Sequence, residues 1–248
     1  MDDTIFAQMS RRITALERSQ SNPHNDYREI TGWIPYAYTW TYASATTFTI
    51  ATDVTVYFPV GTKIKLTQTT VKYFYVLSAV YGAPNTTITI TGGSDYSLAN
   101  AAITSPYYSY AVTPQEFPNE FNYTPTWSCT GTNVVLGSGT LAGKFSMQGR
   151  LVHASVSMSM AANTTFGNNY WRWLLPTSPI GLFNKGLGSC RMLDNGTVHR
   201  IGICETNTVT AVDYCNAMAD SAGNYISAAV PFTWANTDEL YWSVVYLV

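Results

Sequence analysis

Charge is scarce in this chain. Asp, Glu, Lys and Arg make up 11% of its 248 residues, against about 25% in an ordinary soluble domain, and the net charge is −2. Without a broad basic field, duplex nucleic acid is excluded as the expected partner. Helix-forming charge pairs are lacking too, which excludes a helical bundle or a coiled-coil rod. A composition that is 46% hydrophobic equally excludes a disordered chain. No run approaches the ~18 apolar residues that carry a helix across a bilayer, so membrane insertion is not expected. The opening, Met1-Asp2-Asp3, lacks the positive and apolar regions of a secretory signal, so the expectation is synthesis in a cytoplasm without standard export.

Chemistry-bearing motifs are equally sparse. The four cysteines, Cys129, Cys190, Cys204 and Cys215, form no CxxC pair, and the expectation is free, buried thiols. The three histidines, His24, His153 and His199, stand far apart, so no metal and no cofactor is expected. There is no GxSxG, no P-loop and no GxGxxG after a strand. A glycosidase needs two carboxylates about 5–9.5 Å apart. Beyond residue 30 the acids are few, and only Glu205 and Asp213 flank apparent strands, so no enzyme is expected.

What is abundant points one way. There are 34 Thr, 18 Tyr and 17 Gly, a composition for β-sheet joined by tight turns. In Thr62–Thr67, Ile64 and Leu66 face one way and Lys63 and Lys65 the other. Val71–Tyr81 is a long β-branched and aromatic run, Gly82-Ala-Pro84-Asn85 a turn, and Thr86–Thr91 alternates again. From 151 to 160, Val152, Ala154, Val156, Met158 and Met160 make one face, and His153, Ser155, Ser157 and Ser159 the other. Asp194-Asn195-Gly196 is a hairpin signal, and the apolar Leu240–Val248 must be tucked into a sheet.

The first 30 residues differ, holding nine of the chain's 28 charges. Phe6, Met9, Ile13 and Leu16 follow the 3-4 spacing of an a/d seam, so a short α-helix is expected, closed by Asn22-Pro23. A helix of about sixteen residues is marginal alone, so its seam packs on copies of itself or on its own β domain. Self-association is the expectation. The fold expected is all-β: residues 1–30 form the helix and linker. A small β-barrel or sandwich spans 31–117, and a jelly-roll-like β-sandwich spans 118–248. The Pro- and Glu-bearing stretch 113–122 reads as a connector.

Several segments resemble modules of bacteriophage virion proteins, namely tail fibres, baseplate appendages and related prophage products. In the C-terminal section these are Tyr123-Thr-Pro-Thr-Trp127, Gly139-Thr-Leu-Ala-Gly143-Lys-Phe145, Gly149-Arg150-Leu-Val152, Thr165-Phe-Gly167 and Trp173-Leu-Leu-Pro176. In the middle section they are Tyr57-Phe-Pro-Val-Gly61-Thr-Lys-Ile-Lys-Leu66, Val71-Lys-Tyr-Phe-Tyr-Val76 and Leu98-Ala-Asn-Ala-Ala-Ile103. The resemblance covers about three quarters of the chain. It implies a homotrimer in the virion, docked on other tail, baseplate or collar proteins through its N-terminus. It also implies a distal β domain that contacts a bacterial surface glycan. A purely architectural head, collar or baseplate decoration is the alternative, and a virion glycan hydrolase a third reading.

Glycan sites pair an aromatic face with amides or carboxylates that bind hydroxyls. Asn169, Tyr170, Trp171, Arg172 and Trp173 bring aromatic, amide and guanidinium groups together, and Tyr107 and Tyr108 form a second cluster. If Trp171 and Trp173 share one strand face, Tyr170 and Arg172 share the other, and one face belongs to the core.

Overall fold

The computed structural model describes residues 31–180, 187–209, 212–218 and 224–248. The helix expected from Phe6, Met9, Ile13 and Leu16 lies outside these residues, as does His24. The fold is all-β, and the chain divides into two compact units. Among the described residues, one holds 31–90 together with Leu98–Pro118. The other holds Thr91–Ser97 and the described residues of 119–248.

The first unit contains strands β1 (Ile34–Pro35), β2 (Thr41–Ser44), β3 (Thr47–Ile50), β4 (Lys63–Gln68), β5 (Thr70–Gly82), β6 (Asn85–Thr91, its last residue counted with the second unit) and β7 (Thr104–Ser109). They form a seven-stranded sheet in the order β1-β7-β4-β5-β6-β3-β2. The sheet is open, so of the two architectures expected for this section the barrel does not occur. Ile64 and Leu66 of β4 are fully buried, as their alternation requires. Lys63, on the opposite face as the alternation places it, is buried as well. The cause is the segment after β7, which lies across that face. Lys63 Nζ donates to the Ala111 carbonyl at 3.0 Å and sits 5.8 and 5.6 Å from the Tyr75 and Phe117 ring centres. Burial lowers the Lys63 pKa from its usual value. Lys65 Nζ donates to Glu116 Oε2 at 3.0 Å, and the Tyr73 hydroxyl donates to the same oxygen at 3.2 Å. The prolines and glutamates that look like spacer in the sequence thus include a tie that closes one side of this unit.

The second unit contains β8 (Phe121–Tyr123), β9 (Trp127–Cys129), β10 (Thr140–Gln148), β11 (Leu151–Ser159), β12 (Trp171–Leu174), β13 (Leu187–Asp194), β14 (Val198–Val209), β15 (Val212–Met218) and β16 (Glu239–Leu247). Their order is β8-β10-β11-β16-β13-β14-β15-β12-β9. Asp194 pairs with Val198 across the expected hairpin, and Gly196 takes the left-handed φ of 83° that the turn needs. Trp173 of β12 and Trp242 of β16 have ring centres 6.2 Å apart. Four strand spacings separate β12 from β16, roughly 19 Å in a flat sheet. The sheet is therefore folded over itself, and one continuous sheet supplies both layers of a sandwich-like unit around a tryptophan-rich core.

Thr91–Ser97 joins this unit through its turn. Asp95 accepts hydrogen bonds from the Asn122 backbone N–H and side-chain amide, both at 2.8 Å, and the Ser94 N–H donates to the Asn122 carbonyl at 2.8 Å. Cys129, Cys190 and Cys204 are free thiols; the side chain of Cys215 lies outside the described residues. A hydrogen bond with Cys204, and then burial, push the Cys190 thiol up, away from the reactive thiolate.

Candidate functional site

Antiparallel register decides which side chains meet on the outer face of the second unit. One row runs Ala142, Ser157, Tyr241, Arg191, Ile201 across β10, β11, β16, β13 and β14. The next runs Asn122, Lys144, Ser155, Ser243, Ser189, Ile203, starting on β8. Side chains directly opposite on adjacent strands have Cβ atoms about 5 Å apart. The serines of the middle lanes are short, while Tyr241, Arg191, Ile201 and Lys144 are long. The result is a hollow of about 520 Å³ with a serine floor, lined by all of these except Ile203.

The walls are held in place. The Arg191 guanidinium lies 5.6 Å from the Tyr241 ring centre, and the Tyr241 hydroxyl donates to Glu239 Oε2 at 3.0 Å. Tyr241 remains 38% exposed, so part of its ring is presented. Lys144 Nζ stands 3.5 Å from Glu120 Oε2, and both are well exposed, a pairing worth little in water. None of the lining residues is a carboxylate or an imidazole. The lining offers hydroxyls that donate and accept, one aromatic ring, one amide and two cations. That set suits a hydroxyl-rich ligand held along an apolar edge.

No family model, no curated protein and no solved structure matches the chain.

The aromatic cluster picked out in the sequence lies elsewhere and is divided. Trp171 and Trp173 are both 0% exposed. Trp171 packs against Trp127, Phe166 and Trp234 with centroid distances of 4.9, 5.9 and 5.0 Å, and its Nε1 donates to the Phe166 carbonyl at 2.8 Å. Their shared strand face is the core face, which removes both as ligand contacts. Tyr170 is half-buried against Tyr225, 5.2 Å between ring centres, and the Tyr225 hydroxyl donates to Glu205 Oε1 at 2.7 Å. That hydrogen bond, with burial second, pushes the Tyr225 phenol up to about 12. Asn169 is exposed and closes a local turn through the Tyr170 N–H, and Arg172 is half-buried in register with Ser128.

In the first unit, Tyr108 is 8% exposed and packs at 5.6 Å from Tyr36 and 5.7 Å from Phe58. Tyr107 is half-buried, with the Lys65 ammonium 6.0 Å from its ring centre. Burial, and then the neighbouring phenols led by Tyr57, push the Tyr36 phenol up to about 12. His153 and His199 belong to β11 and β14, and no group of three or more His, Cys, Asp or Glu able to hold a metal occurs among the described residues.

Of the hollow, the sequence had shown only the Ser155 and Ser157 side of one strand. Lys144, Ser189, Arg191, Ile201, Tyr241 and Ser243 come from four other strands, and only their register brings them together. The one local signal was the polar-apolar alternation of each strand.

Proposed function

We propose that this chain is a bacteriophage virion appendage protein, of the tail-fibre or baseplate type, whose residues 119–248 attach it to a glycan on the bacterial surface. The observation that carries the reading is the serine-floored hollow bounded by Tyr241, Arg191 and Lys144. Serine hydroxyls match the hydroxyls of a sugar, and the Tyr241 ring supplies an apolar face for a pyranose. The segment resemblance supports the placement in a virion. Residues 1–30 dock the protein on another virion component, and three chains associate so that three weak sites act together by avidity. The act is attachment without bond cleavage.

A second reading is favoured by one observation. Leu151, Leu187, Ile203, Val245 and Leu247 are exposed large apolar residues on the same outer face. A face of that kind suits burial against another protein, as in a purely architectural decoration. One experiment separates the two. Labelled full-length protein is mixed with bacteria that the parent phage adsorbs to, and phage adsorption is measured in competition. Saturable binding that blocks adsorption, and that is lost in Tyr241→Ala, supports attachment. Absence of binding by folded, oligomeric protein overturns it and leaves the architectural reading.

A further inference from the structure

The charge that lines the hollow is of one sign. The protein carries a net charge of −2, yet the two charged residues lining the hollow, Lys144 and Arg191, are both cations. Three carboxylates contact lining residues from the rim. Glu239 accepts from the Tyr241 hydroxyl, Asp95 is taken up by Asn122, and Glu120 stands beside Lys144. Arg191 forms no ion pair among the described residues; its guanidinium rests by the Tyr241 ring and keeps its donor edge for a ligand.

Position matters as much as sign. Lys144 is on β10 and Arg191 on β13, three strands away, about 14 Å across the sheet. Ser155, Ser243 and Ser189 fill the lanes between and beside them. A neutral sugar on this floor accepts hydrogen bonds from the two cations but leaves their charge unbalanced. A carboxylate or phosphate accepts charge-assisted hydrogen bonds from either cation, and from Arg191 in a two-pronged fashion.

We infer that the hollow selects an anionic glycan, a polysaccharide whose repeat carries a carboxylate or a phosphate, over a neutral one. The inference rests on the glycan-attachment reading above. The polymer crosses the serine floor with an acidic group at Arg191, and a second acidic group reaches Lys144 where the repeat spans that distance. Tyr241 takes the apolar side of the sugar between them.

The test uses the full chain on an array of bacterial polysaccharides in three arms: uronate-bearing, phosphate-bearing and neutral. The expected result is binding confined to acidic arms and weakened by salt. The stronger acidic arm identifies carboxylate or phosphate as the source of charge. Arg191→Gln and Lys144→Gln each reduce that binding about tenfold, while Arg191→Lys, which keeps the charge and loses the two-pronged geometry, falls between Arg191→Gln and the wild type. Neutral glycans bound as well as acidic ones, with Arg191→Gln and Lys144→Gln unchanged, overturn the anionic selection and leave glycan attachment standing. Binding to cells but to no glycan in any arm overturns the glycan reading itself, and this inference with it.

Discussion

Replacing Trp171 with alanine separates the core of the second unit from its outer face. The indole is 0% exposed and sits among Trp127, Phe166, Trp173 and Trp234. A buried tryptophan removes roughly 200 Å² from water, which at ~25 cal/mol per Å² is about 5 kcal/mol at most. Large-to-alanine replacements of aromatic core residues cost about 3–5 kcal/mol. Losing the Nε1 donor also leaves the Phe166 carbonyl without this partner, which adds about 1 kcal/mol. The expected destabilisation is thus about 5 kcal/mol, and a unit of this size loses roughly 15–20 °C in its melting midpoint. Tyr241→Ala removes a part-exposed ring from the outer face and costs about 1 kcal/mol or less, and on the attachment reading it abolishes cell binding. The assay is calorimetry of both variants beside cell-binding isotherms. A Trp171→Ala protein that melts with the wild type and fails to bind would refute the assignment of this tryptophan to the core and of the outer face to ligand.

Two further outcomes follow from the packing and charge already described. A Cβ at Gly202 would stand 1.9 Å from the Met218 carbonyl oxygen and 2.8 Å from Cys190 Sγ, so Gly202→Val forces β14 from its neighbours. It lowers the urea midpoint by the equivalent of at least about 2 kcal/mol, and an unchanged midpoint would contradict the β13–β14–β15 pairing. In the first unit, the hydrogen bond and charge of Lys65, helped by Tyr73, hold the Glu116 carboxyl below its usual pKa. A depressed carboxylate stabilises above its unfolded pKa, and that contribution fades as pH falls through the folded value. Glu116→Gln therefore flattens the acid limb of stability against pH, measured by denaturant unfolding, and an unchanged limb would show that the ion pair has no coupling to folding.

The strands were legible because their evidence is local. The face of Val152, Ala154, Val156 and Met158 buries as the alternation of 151–160 demands, and Asn195-Gly196 turns where a hairpin sequence should. The orientation of Lys63 was legible but its burial was not, because the carbonyl that receives it lies 48 residues later, in a stretch with no periodicity. The tryptophan cluster drew attention for its density of aromatic groups, but the spacing of Trp171 and Trp173 put both on the face that the folded sheet turns inward. The hollow escaped notice for the opposite reason. No strand contributes more than a pair of its side-chain contacts to the outer rows, and every one of those residues is ordinary by itself.

The place of β16 has a consequence for how such a surface comes into being. It lies between β11 and β13, pairing Leu247 with Leu151 and Val245 with Leu187. The hairpins β10–β11 and β13–β14 can close early from neighbouring sequence, but neither holds the floor alone. Only when β16 inserts do Ser155, Ser243 and Ser189 fall into one row. Such distant pairing is slow to form, because the chain between β11 and β16, with β12 to β15 on it, must first be brought round. This row of the outer face is therefore expected to form last. On the attachment reading, a ligand bridging the row braces hairpins that β16 alone had joined, so occupancy is expected to slow the strand's departure.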